Sequence, residues 1–255
     1  GQATTPQWCR SAGRTMTDSA GREVTDSFAL VDRWIVAHTD LLSQWRRHIH
    51  AHPELARQEF ATTAFVVEQL EAAGLVPKLL PGGTGLICDI GPSGPRVALR
   101  ADMDALPLQE FTGAAYSSTV PGVSHACGHD AHTAMLVGAA KVLAARRHEL
   151  PGRVRFMFQP GEEGFAGARL MIDEGVLDGV DRAFALHVSP NQRVGTASCR
   201  PGPLLAGDTS ITVTVRGHGG HASSPHHATD PIPATAAIIT ALQTTVTREV
   251  DVFDP

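Results

Sequence analysis

Apolar positions set a helical rhythm early in the chain. Phe28, Val31, Ile35, His38, Leu42, Trp45 and Ile49 follow one another at steps of three and four, which places them on one helical stripe. Pro53 predicts the end of that helix, because proline removes a donor and restrains the residue before it. Phe60, Ala64, Val67 and Leu70 repeat the pattern, with Gly74 as a natural stop.

The period then changes. Short apolar runs cover 86–90 and 97–101, and Gly91-Pro92-Ser93-Gly94-Pro95 between them reads as a turn. A helix is predicted over 132–148, a strand over 154–158, a short helix over 166–174 before Gly175, and a strand over 183–188. Strands alternating with helices predict an α/β layer with a mostly parallel sheet flanked by helices. Residues 195–207 are rich in Gly and Pro. Beyond them Ile211, Val213 and Val215 alternate with Thr212 and Thr214, as on a half-exposed strand, and 230–250 reads as a helix. The organisation expected is a polar, disordered leader over 1–24, a large α/β domain over 25–204, and the start of a smaller α+β domain over 205–255. One strand and one helix are too little to close a core alone.

Composition narrows the class. Hydrophobic residues make up 42% of the chain and charged ones 18%, and the net charge of −5 offers no basic surface for nucleic acid or anionic lipid. No apolar run reaches the length of a membrane span, and the first residues lack an apolar signal core, so a cytoplasmic location is expected. Cys9, Cys88, Cys127 and Cys199 are widely spaced, which suits a reducing compartment better than a disulfide scaffold.

Chemistry-bearing residues collect at predicted strand ends. Asp102 and Asp104 follow one strand, Glu162 and Glu163 follow the next, and His187 closes the third. Open α/β sheets bind ligands at the carboxyl ends of their strands. Cys127, Gly128, His129 and Asp130 come just before a predicted helix, where the dipole favours a thiolate. Singly, each has an ordinary explanation: a solvated Glu-Glu pair, a small buried cysteine, a hydrogen-bonded core histidine, a turn-capping aspartate. Together, Cys, His, Glu and His form the donor set of a borderline-soft divalent ion, and thiolate with imidazole argues against Mg²⁺ or Ca²⁺. Such a site brings the pKa of bound water to about 7. Of the adjacent carboxylates, Glu163 is assigned as ligand and Glu162 as proton acceptor from water and donor to a departing amine, although spacing alone does not choose between them. His48, His50 and His52 are read as structural or supporting, and His226 and His227 as loop residues. His218 and His221 lie among Gly217, Gly219 and Gly220, which suggest a close backbone approach.

A resemblance sharpens this. The runs 46–54 (RRHIHAHPE), 99–107 (LRADMDALP), 125–130 (HACGHD) and 158–164 (FQPGEEG), with Leu186-His187-Val188, Gly219-Gly220-His221-Ala222, Pro225 and Asp230-Pro231-Ile232, resemble the metal-dependent amidohydrolases. That family includes hippurate hydrolases, bacterial aminoacylases and auxin-conjugate hydrolases, and the resemblance runs from about Leu42 to Pro255. It implies a zinc-peptidase-like catalytic domain carrying two divalent ions (Zn, Mn, Co or Ni) and an inserted smaller domain that makes a homodimer. Cys127 would bridge the ions, with His129, Glu163 and His187 as further ligands and Glu162 as general acid/base. His221 would steady the oxyanion in the partner's site, and Asp104 would support the metal site from behind. Asp102 stands where the wider superfamily has a histidine ligand and is left outside the ligand set. Relatives of this kind continue further and add one last histidine ligand, so the resemblance implies a chain truncated at Pro255.

The implied reaction is hydrolysis of the amide bond of N-acyl amino acids, with no role for nucleic acid or membrane. Two rivals are weighed: a cysteine hydrolase with Cys127 as nucleophile, which leaves Glu162 and Glu163 unexplained, and an inactive fragment or metal-binding relic of such an enzyme.

Overall fold

The computed structural model describes residues 25–164, 166–202, 204–205 and 211–249. The expected leader over 1–24 therefore lies outside the described residues. The chain divides into two compact units, Gly1–Arg193 and Val194–Pro255, so the division precedes the expected start of the smaller domain at 205.

The first unit begins with helices α1 (Thr25–Ala37), α2 (Thr39–Ala51) and α3 (Phe60–Glu71). The single stripe from Phe28 to Ile49 is thus two helices, broken at His38 (φ −119°, ψ 15°). The break has a local cause. The His38 ring donates to the Trp34 carbonyl at 2.7 Å and the Thr39 hydroxyl to that of Ile35 at 2.9 Å, so side chains compete for carbonyls that the helix would use.

Strands β1 (Lys78–Leu79), β2 (Leu86–Ile90), β3 (Arg96–Asp102), β4 (Arg153–Gln159) and β5 (Arg182–Ala185) form one sheet in the order β1-β2-β4-β3-β5. β3 pairs parallel with both β4 and β5, while β2 pairs antiparallel with β1 and β4. The sheet is parallel in its core, as a strand–helix–strand crossover demands. That crossover is helix α4 (His129–Ala144), and α5 (Gly167–Asp173) leads from β4 toward β5.

Side-chain alternation along β4 divides the core. Phe156 and Phe158 join Trp45, Val66, Leu70, Met103 and Val137 in the main cluster with the helices, whereas Met157 joins Leu80, Ala98, Met171 and Val176 in a smaller one.

Two boundaries differ from expectation in ways that matter. The helix expected over 132–148 starts three residues earlier, at His129, behind Gly128 in the left-handed region (φ +88°). The strand expected over 183–188 pairs only to Ala185, so His187 sits in the loop beyond it.

In the second unit the expected strand around 211–215 is unpaired among the described residues. Its alternation finds no neighbour to ladder with; the one bridge described there joins His218 to Thr229. A 3₁₀ turn (Pro225–His227) precedes α6 (Pro231–Arg248). The Asp230 side chain caps α6 by accepting from the Ile232 N–H at 2.9 Å, and Pro231 occupies the first helical position, where no donor is missed.

Phe156 is fully buried at the centre of the sheet. Phe156→Ala is expected to cost about 3–5 kcal/mol of unfolding free energy, read as a drop in the urea midpoint at unchanged slope.

Candidate metal centre

Parallel register brings the candidate residues to one edge. Asp102, the last residue of β3, is paired with Gln159, the last of β4, while Arg100 is paired with Ala185, the last of β5. The segments carrying Asp104, Glu162, Glu163 and His187 therefore leave the sheet side by side. The crossover returns α4 so that its first residue, His129, faces the same edge.

His129 is the central group. It is fully buried, and its ring N–H at Nδ1 donates to the Asp104 carbonyl at 2.9 Å. The Asp104 carboxylate is farther from that nitrogen, at 3.4 Å, so the carbonyl is the acceptor. This fixes the tautomer and leaves a lone pair on Nε2. That atom is buried and has no hydrogen-bond partner. It lies 3.5 Å from Asp102, 3.9 Å from Glu162 and 4.0 Å from Glu163. An unpaired buried nitrogen is costly, and a metal ion would satisfy it.

Cys127 and His187 complete one face. The thiol lies 3.2 Å from His187 Nε2, and the Nδ1–H of His187 donates to the Val188 carbonyl at 2.6 Å. Gly128 lets the two segments meet: a Cβ there would lie 2.5 Å from the Val188 side chain. Ligand atoms of Cys127, His129 and His187 fall within 4.8 Å of one another, as do those of His129, Glu162 and Glu163. The four predicted ligands and the predicted base are therefore gathered at one place.

A third cluster of Asp102, His129 and His132 meets the same distance criterion, but Asp102 and His132 already have their bonds made. His132 donates from Nδ1 to Asp102 at 2.6 Å and accepts the Val188 N–H at Nε2, 2.9 Å away. The other Asp102 oxygen accepts from Arg100 at 2.7 Å. These residues form a relay that ties β3 to the His187 segment. His132 was not among the residues singled out from the sequence. It is three residues from His129, a spacing that shares one helical face, and placing the helix start at His132 concealed this.

Electrostatics describe a pocket of negative potential. Burial and the carboxylates of Glu163, Asp102 and Glu162 push the Cys127 thiol up to about 12. Burial opposes charge on His129, yet its bond to Asp104 and the neighbouring carboxylates raise its pKa. Burial raises Glu162 as well, reinforced by Asp102 and Glu163. Asp104, buried like Asp102, is held ionised against that burial by His129 and by the backbone N–H groups of Glu163 and Glu162.

The other histidines divide. His50 is buried between Asp130, at 2.8 Å, and Glu110, at 3.3 Å, and Asp130 also takes Arg46 at 2.6 Å, so this network braces the first turn of α4. His48 makes tilted ring contacts with Phe65 and His52. In the second unit, His221 Nδ1 accepts the Ser223 N–H at 3.2 Å and lies 2.8 Å from its hydroxyl, which leaves Nε2–H as the outward donor.

An open α/β domain with a thiol, imidazole and carboxylate cluster at its strand ends defines a class of metal-dependent hydrolase folds. The chain belongs to peptidase family M20/M25/M40, whose family model matches residues 98–253. N-acetyl-L-cysteine deacetylase of Bacillus subtilis (strain 168) is 46% identical over 208 residues, 81% of this chain and 50% of that protein. A Rhodococcus jostii (strain RHA1) protein provisionally named glutamate–cysteine ligase 2-3 is 48% identical over 236 residues, 92% of this chain but 29% of its own length. Among solved structures, a dinuclear metal binding peptidase of the M20 family from Bacillus subtilis superposes with a TM-score of 0.61 at 44% identity, covering 69% of this chain and 48% of that one. The chain thus spans about half the length of the deacetylase.

Asp102 supplies a pH test. Burial raises its pKa, but the bond from His132 and the charges of His129 and Arg100 outweigh burial and hold it at about 2, against an ordinary 3.8. A depressed carboxylate stabilises above its unfolded pKa and loses that contribution as pH falls through the folded one. With chelator present, the urea-unfolding difference between wild type and Asp102→Asn should shrink by about 2 kcal/mol from pH ~4 to ~2. A difference that stays constant over that window would contradict the relay.

Proposed function

We propose that this chain carries the catalytic half of an amidohydrolase that cleaves N-acyl amino acids to a carboxylic acid and a free amino acid. The observation that carries the reading is the buried, unpaired Nε2 of His129 between the thiol–imidazole pair and the two glutamates. Its chemistry suits a divalent cation and little else. The deacetylase relative acts, by its name, on an N-acetyl amino acid, which supports the substrate class.

Cys127, His129 and His187 would hold one ion, and Cys127 with Glu163, which lies within hydrogen-bonding reach of the thiol, would hold a second. Zn, Mn, Co or Ni all suit such donors. When bound, the ions supply an activated water and polarise the amide carbonyl.

Glu162 takes the proton from the attacking water and returns it to the departing nitrogen. Its raised pKa brings it closer to the range where one group serves both steps. Asp104 keeps His129 in the ligating tautomer. In this reading the catalytic domain covers 25–204, the smaller domain over 205–255 forms a homodimer, and its His221 donates from Nε2 to the oxyanion developing in the partner subunit's site. A cytoplasmic setting agrees with the free Cys88, Cys127 and Cys199. No helix among the described residues is long and apolar enough to cross a membrane.

A thiol enzyme is disfavoured because a cysteine at about 12 is not a thiolate near neutral pH. A ligase is disfavoured because the relative so named shares less than a third of its length.

The test is metal-dependent turnover. Co²⁺ added to the chelator-treated chain should raise a thiolate-to-metal absorption band that Cys127→Ala abolishes. Hydrolysis of N-acetyl amino acids should stop with EDTA and return with metal. Glu162→Gln should lower kcat by roughly 10²–10⁴-fold at unchanged metal content. Turnover by a chain shown by metal analysis to hold no ion would overturn this reading in favour of the thiol mechanism, and metal binding without turnover would leave a metal-binding relic.

A further inference from the structure

We propose that Glu59 is a positioning residue that anchors, through one carboxylate oxygen, the loop carrying Glu162 and Glu163. Its catalytic meaning rests on the hydrolase reading; the anchoring does not.

Glu59 is fully buried, a rare state for a glutamate. It does not serve α3, whose N-terminus it precedes, because its side chain makes no capping bond there. Glu54 fills that role, accepting from the N–H groups of Ala61 and Thr62 at 3.0 and 2.7 Å. Glu59 turns the other way. Its Oε1 accepts the N–H of Gly161 at 2.8 Å and that of Arg57 at 2.9 Å.

Both donors sit in the left-handed region, Arg57 at φ +65° and Gly161 at φ +63°. For Arg57 that conformation carries strain, which persists only when the surroundings fix it. The loop is also folded tightly on itself. Gly167 N–H donates to the Gly161 carbonyl at 3.0 Å, and a Cβ at Gly167 would fall 1.6 Å from the Pro160 carbonyl oxygen. The Glu163 N–H is held by Asp104 at 2.8 Å. Two buried carboxylates thus grip the backbone at 161 and 163, on either side of Glu162. An apolar side chain would fill the space under the loop without desolvating a carboxylate, so the acceptor is what the position supplies.

The experiment compares Glu59→Gln, which keeps an acceptor oxygen, with Glu59→Met, of similar length and without one, in the full 255-residue chain. Amide hydrogen exchange is read over 161–164 and over β4. E59M should exchange about ten-fold faster in the loop, the factor one buried hydrogen bond is worth, with β4 unchanged. E59Q should stay near wild type. In parallel, Co²⁺ affinity should fall roughly 10–100-fold in E59M and be rescued in E59Q, and kcat should drop with KM little changed. Equal exchange in the two variants overturns the proposal, as does acceleration spread evenly over the sheet. Should E59M fail to fold, faster loop exchange in E59Q overturns it and wild-type exchange supports it. If the wild-type chain binds no Co²⁺, the hydrolase reading falls while the exchange comparison still decides the anchoring.

Discussion

Asp104 is the residue through which the three arms of the site are joined. Its carbonyl receives the His129 ring N–H, and its carboxylate receives the Glu163 N–H. One buried residue beyond β3 therefore fixes the first residue of α4 and the loop after β4 together. Imidazole orientation and glutamate placement cannot vary independently, because both are referred to the same few atoms. Such supporting contacts decide whether donor atoms converge or merely lie nearby. The His132 relay does the same for the fourth element, binding the His187 segment to Asp102.

Much of this was legible in the sequence because it depends on local order. Strands β2, β3 and β4 announced themselves as short apolar runs bounded by turns; the strand-end rule pointed to Asp102, Asp104, Glu162, Glu163 and His187, and the segment before α4 to Cys127 and His129. What stayed hidden depends on pairing at a distance. His132 meets a partner 30 residues away and Glu59 a donor 102 residues away; no periodicity encodes either. The start of α4 was misplaced because Gly128 and His129 look like loop residues, although Gly128 in its left-handed conformation sets the helix going. The break at His38 came from side-chain competition for carbonyls, which a count of apolar steps does not register. β1 is two exposed residues long and carries no pattern at all.

The charge balance at the sheet edge explains why the cluster has the composition it has. Asp102 is met by the Arg100 guanidinium and by the ring N–H of His132. Asp104 and Glu59 are met by backbone N–H groups. Each of these buried carboxylates thus has a hydrogen-bond partner for at least one oxygen, while Asp104 Oδ1 and Glu59 Oε2 have none. Glu162 and Glu163 remain, beside a thiol pushed up to about 12 and an imidazole whose pKa is raised although burial should lower it. Both perturbations point the same way: the carboxylates around His129 Nε2 set up a negative potential that favours positive charge there. A proton can supply part of it, but it occupies the nitrogen and leaves the thiol neutral. A divalent ion held there would satisfy the nitrogen, take the place of the sulfur's proton and offset the glutamates. Proton loss from Cys127 would then accompany cation binding, so in the proposed hydrolase the affinity of the site would rise with pH until the thiol is ionised in the metal-free chain.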